Sequence, residues 1–270
     1  MMSVPKSTNT NVLVSIIMPA YNAERFIEEA IRSVISQTIS DWELLVLDDC
    51  SQDRTTEIVK QLASEDVRIT LIQNKVNQGV AKTRNRGFDL CRGKYIALLD
   101  SDDVWHPEKL ELQLKCISEN NADIAYCSYS LIDETGAKTR NDFIVPPTTT
   151  FENFLTQSVI SCSTVLLSRQ IVDNYRFNDN YYHEDLVLWL QLLQDGYIAC
   201  GVTTVLARYR VMEGTRASNK LRTAVHRWQI YRNFLGFTTI KSSVLLLRYA
   251  FLGIIKYKKH SECDIKNGIY

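Results

Sequence analysis

The stretch that most constrains this chain is Lys94-Tyr95-Ile96-Ala97-Leu98-Leu99-Asp100-Ser101-Asp102-Asp103. Tyr95 to Leu99 is short, continuous and apolar, with no polar alternation, so it reads as a strand buried on both faces of a parallel sheet. It ends in three carboxylates within four residues. Alternation along a strand predicts Asp100 and Asp102 on one face and Ser101 on the other. Like-facing carboxylates repel unless a proton or cation lies between them. A hard divalent ion such as Mg²⁺ or Mn²⁺ suits oxygen ligands and bridges to phosphates. The alternative is a solvated acidic turn.

The strand-then-polar pattern recurs upstream. Val12 to Met18 is apolar and β-rich and stops at Pro19-Ala20-Tyr21-Asn22. Phe26, Ile27, Ala30, Ile31, Val34 and Ile35 then follow helical spacing, with Asn22 as the candidate N-cap. Tyr21 either stacks on a flat ligand or packs inward. Trp42 to Leu47 runs into Asp48-Asp49-Cys50-Ser51-Gln52-Asp53, and a helix follows through Ile58, Val59 and Leu62, capped by Asp53. Asp48 and Asp49 come too early to cap; at a strand's end they can accept from a base N–H or ribose hydroxyls. Val67 to Ile72 is a third strand. Asn77-Gln78-Gly79 is a turn opening a helix, Val80 to Leu90, which carries Lys82, Arg84, Asn85 and Arg86. That helix start is either an anion site or a solvated basic face.

These units predict an α/β fold: a Rossmann-like, doubly wound, mostly parallel sheet with helices on both faces. Its carboxyl edge gathers Tyr21, Asp48, Asp49, Asp100 and Asp102, where such sheets bind ligands. No GxGxxG and no P-loop occurs, which argues against ordinary dinucleotide and NTPase sites.

Four blocks together carry a resemblance: Pro19-Ala20-Tyr21-Asn22, Asp48 to Asp53, Asn77-Gln78-Gly79 with Arg84-Asn85-Arg86-Gly87, and Asp100-Ser101-Asp102-Asp103. In order and spacing, Val14 to Asp103 resembles the nucleotide-binding half of family 2 glycosyltransferases of the GT-A fold, in particular bacterial cell-surface polysaccharide transferases of the teichuronic acid and O-antigen type. The resemblance implies that Pro19, Ala20 and Tyr21 line the nucleobase, and that Asp49 accepts from the base with Asp48 close by. Asn77, Gly79 and Arg84 join the nucleotide-binding set. It implies Asp102 as the ligand of a divalent metal, Mn²⁺ or Mg²⁺, with Asp100 and Ser101 toward the ribose and diphosphate. Cys50 stands where the family has Gly or Asn, a change expected to disturb little.

Further on, Trp105-His106-Pro107 leads into a helix, Glu108 to Glu119, and Ile124 to Tyr129 reads as a strand. Asp133 to Thr150 is polar and reads as a loop toward the acceptor side. Ser161 to Leu167 is expected to be a short antiparallel strand at the sheet's edge. His183-Glu184-Asp185 precedes the apolar helical spacing of Leu186, Leu188, Trp189, Leu192 and Leu193, which sets Asp185 in a helix's first turn. Capping alone would explain an acid there. By resemblance, Asp185 is the general base, Glu184 orients the acceptor or a neighbouring loop, His183 is a packing or acceptor-contact residue, and Trp189 joins the acceptor set. In Tyr209 to Ser218, Met212 stands where relatives carry a His, so no His ligand is assigned. Arg210, Arg216 and Lys220 either neutralise the leaving diphosphate or are solvated.

The formal net charge of zero hides an asymmetry. Residues 1–200 carry about −10 and residues 201–270 about +10. The basic tail suits diphosphates, anionic lipid or an acidic acceptor, and no nucleic-acid recognition motif accompanies it. Seven scattered cysteines without a CxxC pair suit buried thiols in a reducing compartment. Residues 1–11 are polar, lack the apolar core of a secretory signal and read as a disordered lead-in. Val244 to Ile255 is apolar but shorter than the ~20 residues that span a bilayer. It is either a basic amphipathic helix on a membrane surface or a closing helix on the domain.

The expected organisation is a nucleotide-sugar half (12–104), an acceptor and catalytic half (105–220) and a basic helical tail (221–270). The expected activity is inverting transfer from a nucleotide-diphosphate sugar, with UDP as the implied carrier, to a lipid-linked or glycan acceptor. The expected location is cytoplasmic, with peripheral contact at the inner membrane surface. A sugar-phosphate nucleotidyltransferase would need a Gly-rich basic loop after its first strand, where this chain has Asn22-Ala23-Glu24-Arg25. A non-catalytic nucleotide-sugar-binding module would dispense with Asp185.

Overall fold

The computed structural model describes residues 12–212 and 220–266. The expected lead-in at 1–11, Arg216 and the side chain of Lys220 lie outside what it describes. The first half alternates as predicted: β1 (Val14–Ala20), α1 (Ile27–Ile35), β2 (Trp42–Asp48), α2 (Thr55–Glu65), β3 (Ile69–Gln73), α3 (Val80–Leu90) and β4 (Tyr95–Leu98). Then come β5 (Val104–Trp105), α4 (Lys109–Asn120), β6 (Ile124–Ile132), β7 (Thr148–Thr149), α5 (Phe151–Phe154), β8 (Leu166–Ser168), α6 (Arg169–Asn174) and α7 (Glu184–Gln194). The described chain closes with β9 (Ala199–Arg210), α8 (Lys220–Gln229), a π-helical turn at Ile230–Phe234 and α9 (Thr239–Lys266).

All the strands join one sheet in the order β3-β2-β1-β4-β8-β6-β9-β5, with β7 on β9. The four strands of the first half pair in parallel. β8 runs antiparallel between β4 and β6, so the short strand expected at the edge is central instead. The length of Ser161 to Leu167 could not reveal this, because edge or centre is decided by which strands arrive later. β9 pairs in parallel with β6 over its whole length. Its mixed Gly, Thr and Arg composition hid it from the sequence pattern.

β1 and β2 are buried throughout, as unalternated apolar runs require. Side chains alternate across them into two cores. Ile16, Met18, Leu44 and Val46 pack with α1, α2 and α4, while Ile17, Leu45 and Leu47 pack toward α3 and α7. Gly87 of α3 lies against β1, where an added Cβ would fall 2.5 Å from an Ile17 methyl. The glycine ending Arg84-Asn85-Arg86-Gly87 therefore sets helix–sheet distance.

Candidate active site

The carboxyl ends of β1, β2 and β4 and the start of α7 enclose a cavity of about 590 Å³. Pro19, Ala20, Tyr21, Asp49, Arg84, Asp100, Ser101, Asp102, His183, Glu184 and Asp185 line it. Residues read separately from sequence thus meet at one place. Thr83, Ser161, Cys162, Tyr182 and Tyr209 also line it and were not singled out. Tyr182 carried a signal in its adjacency to His183-Glu184-Asp185, and Tyr209 in opening the segment Tyr209 to Ser218.

Tyr21 is half exposed at the mouth, its ring available for stacking. Asn22 does not cap α1. It adopts φ +48, and its Oδ1 accepts from Gln52 N–H at 2.8 Å, which holds the β1 loop on the β2 loop. Asp53 accepts from both Glu24 N–H and Thr55 N–H, so it ties the loop before α1 to the start of α2, but the N-cap of α2 is Arg54 and not Asp53 as expected. Cys50 adopts φ +68, the left-handed region. This is why Gly or Asn suits the position, and it contradicts the expectation that cysteine there disturbs little.

Asp49 is buried and largely engaged. Its Oδ1 accepts from Asn74 Nδ2 at 2.7 Å and Gln78 N–H at 2.9 Å, and its Oδ2 from Gly79 N–H at 2.8 Å. A carboxylate offers about four lone-pair sites, so one remains on Oδ2. The anion at the start of α3 is therefore the chain's own carboxylate. Asn77 is exposed and Gly79 bends the turn at φ +85, and neither lines the cavity. Asp48 is also absent from the lining, because its carboxylate turns back to Ser51 N–H at 3.3 Å. These three sit in the loops beside the cavity.

β4 ends at Leu98, and Ser101 and Asp102 lie in a turn, so strand alternation does not govern the acidic block. Asp100, Ser101 and Asp102 all face the cavity. Burial, then the charge of Asp100, pushes the Asp102 carboxyl up to about 6. Asp103 points inward, 1 % exposed, and Oδ1 accepts from Arg210 N–H at 2.8 Å. Burial, with Asp102 and Asp100 nearby, pushes its carboxyl well above the usual range. Arg210 is consumed in holding this turn: its guanidinium donates to Asp102 O, Asp133 O and Glu29 Oε2. It is buried and does not reach toward a diphosphate.

Arg84 is buried between the two halves, with Nη2 on Asp100 Oδ1 at 2.6 Å and Nη1 on Glu184 Oε1 at 3.0 Å. Glu184 is therefore buried in an ion pair at the cavity wall. Neighbouring Asn85 clamps Phe177 through its N–H and carbonyl at 2.8 and 2.9 Å. The polar face of α3 is a seam between the first half of the chain and the segment from Phe177 to the start of α7. Trp189 is fully buried, edge-on to Phe177 at 6.3 Å, although it lines a smaller second cavity. Asp185, at the first turn of α7, faces both cavities and accepts from Leu186 N–H at 2.8 Å.

With Arg84 paired to Asp100, the Asp102 carboxyl faces the cavity with no ion pair among the described residues. Among the described residues no cluster of three or more His, Cys, Asp or Glu forms a closed metal cage. The donor set suits Mn²⁺ or Mg²⁺ held by one or two carboxylates and completed by phosphate and water.

The sequence model described as Glycosyl transferase family 2 matches residues 15–176. WfgD of Escherichia coli, named as a UDP-Glc:α-D-GlcNAc-diphosphoundecaprenol β-1,3-glucosyltransferase, is 37% identical over 95% of this chain and 98% of its own. TuaG of Bacillus subtilis (strain 168), whose name assigns it to teichuronic acid biosynthesis, is 34% identical over 90% of this chain and 96% of its own. Among solved structures, S. aureus TarS 1–349 with UDP-GlcNAc superposes with a TM-score of 0.69 at 20% identity, covering 88% of this chain and 71% of TarS. The Pyrobaculum calidifontis mannosyltransferase PcManGT with GDP-Man and Mn²⁺ gives 0.68 at 18%, covering 90% and 70%. At such identities these two structures speak to the fold alone.

Proposed function

The chain belongs to glycosyl transferase family 2 and has the GT-A fold, and on that premise we propose that it transfers a sugar from a UDP-sugar to a hydroxyl of a lipid-linked acceptor, inverting the anomeric centre. The observation that carries this reading is a single cavity lined by Tyr21 and Asp49 at one end, Asp100 and Asp102 at the carboxyl end of β4, and Asp185 on α7.

Tyr21 stacks on the base, and the free site of Asp49 Oδ2 accepts a base N–H. Asp185 removes the acceptor proton as the new bond forms, worth roughly 10²–10⁴-fold for a positioned base. Arg84 holds Asp100 and Glu184, so the donor and acceptor walls keep one spacing, which favours a single displacement. Asp102, with Asp100 beside it, would hold Mn²⁺ or Mg²⁺, whose Lewis acidity stabilises charge on the departing diphosphate. The UDP-sugar and the polyprenol diphosphate acceptor are those in the descriptions of TarS and WfgD, and with the teichuronic acid assignment of TuaG they support a reaction in cell-surface polysaccharide synthesis.

No helix among the described residues is long and apolar enough to cross a membrane. α9 nevertheless exposes Ile240, Val244, Leu247 and Phe251, each more than half exposed and spaced to share one helix face. Lys256, Lys258 and Lys259 follow in sequence. An apolar stripe continued by cations suits the anionic inner surface on which a lipid-linked acceptor resides, so α9 docks there.

A thermal-shift panel of UDP, GDP, dTDP, CDP and CMP, with and without Mn²⁺, tests the donor site. A ligand at ~100 times its dissociation constant adds roughly 2.7 kcal/mol of stability. A Mn²⁺-dependent response to UDP is expected; silence toward every nucleotide overturns the reading.

A further inference from the structure

Behind Asp185 lies a second cavity of about 180 Å³, walled by Phe154, Ile160, Trp189, Arg227 and Tyr249. His183 and Asp185 line both it and the larger cavity. Arg227 is 3 % exposed. Its partners are neutral: Nη1 donates to Leu155 O at 2.9 Å and Tyr231 Oη at 3.3 Å, and Nη2 to Ser158 Oγ at 2.5 Å. Its remaining face stacks on Tyr249 at 4.0 Å. Among the described residues no carboxylate pairs with it, and Nε has no hydrogen-bond partner. Trp189, fully buried, likewise leaves Nε1 without a partner.

Two N–H donors of these wall residues are therefore unspent, one of them on a buried guanidinium that has no ion pair among the described residues, although the Asp185 carboxylate lines the same cavity. Burying a charge without a counter-ion costs several kcal/mol, and each unmade buried hydrogen bond costs about 1–3 kcal/mol. A group that only accepts and carries negative charge relieves both. The space is below the 300–1,000 Å³ typical of whole-ligand pockets, so it suits one substituent of a larger substrate. Resting on the reading of Asp185 as the base, we propose that this cavity is an oxyanion subsite of the acceptor, in which Arg227 and Trp189 donate to a phosphate on the acceptor sugar while the sugar's hydroxyl reaches Asp185. A carboxylate on an acidic sugar offers the same chemistry.

The test is calorimetry on the full chain saturated with UDP and Mn²⁺, which blocks the donor's own diphosphate site. The probes are N-acetylglucosamine 1-phosphate, glucuronic acid and neutral methyl N-acetylglucosaminide. The 1-phosphate should bind at least roughly tenfold tighter than the methyl glycoside, the scale of one charge-assisted hydrogen bond. Arg227→Gln should erase that advantage, and Trp189→Phe should reduce it several-fold, with the UDP thermal response kept in both. Equal affinity in the wild type, or an advantage surviving in Arg227→Gln, overturns the subsite. An Arg227-dependent advantage for glucuronic acid instead retains the oxyanion site and assigns it to a uronic acid. Should Arg227→Gln fail to fold, Trp189→Phe and the wild-type comparison decide. Because binding is read without turnover, an inactive Asp185 would leave this result standing while removing the base assignment.

Discussion

Arg84 and Glu184, a hundred residues apart in sequence, form a buried ion pair of 3.0 Å, with side chains 5 % and 8 % exposed. The same guanidinium reaches Asp100 at 2.6 Å, so one side chain joins the β4 turn to the start of α7. Removing one partner from such a pair leaves a charge buried alone. Arg84→Gln is expected to cost about 3–5 kcal/mol, measured by urea denaturation. A change under ~1 kcal/mol would show that the seam does not hold the halves together.

Asp185→Asn keeps shape and removes the base. Transfer should fall by roughly 10²–10⁴-fold, while the UDP thermal shift persists. Asp102→Asn should do the reverse, abolishing the Mn²⁺-dependent part of the UDP response. Wild-type turnover in the first variant, or unchanged Mn²⁺ dependence in the second, would remove the corresponding assignment.

Cys50 at φ +68 strains the loop that carries Asp49. Cys50→Gly should stabilise the chain by about 1 kcal/mol, the left-handed penalty less the glycine's extra unfolded entropy. Cys50→Ala should not. The melting temperatures of the two variants separate backbone strain from loss of the thiol.

Lys109 is buried against Trp105, its Nζ donating to Gln113 Oε1 at 2.7 Å. Burial lowers its pKa from 10.5 to about 8. The unfolded chain therefore holds this proton more tightly. The cost of burying the charge is full below pH 8 and fades as pH rises toward 10.5, so this group's contribution to stability increases across that window. Lys109→Met should be more stable than wild type at pH 7 by up to about 3 kcal/mol, with the gap closing by pH 10. A gap that does not change between urea titrations at the two pH values would contradict the assignment.

The apolar face of α9 predicts association with vesicles containing anionic lipid. Leu247→Glu and Phe251→Glu, both at exposed positions, should abolish co-sedimentation without altering the UDP thermal shift. Retained association in both variants would return α9 to a closing helix.

The local sequence determined the strand–helix alternation of the first half, because unalternated apolar runs and 3.6-residue spacing leave few other ways to bury those side chains. It also identified the acids that gather at the sheet's carboxyl edge, since strand ends converge there in any doubly wound sheet. Tertiary structure alone decided how those acids divide. Asp102 and Asp185 face the cavity, Asp48 and Asp103 turn into their own loops, and Asp49 is three-quarters spent on the α3 turn. For two of them no local rule applies, because the orientation depends on donors distant in sequence: Arg210 for Asp103, and Gln78 with Gly79 for Asp49. The central position of β8 and the unpartnered Nε of Arg227 belong to the same class. Register between strands, and the match of buried donors to acceptors, exist only once segments distant in sequence have packed.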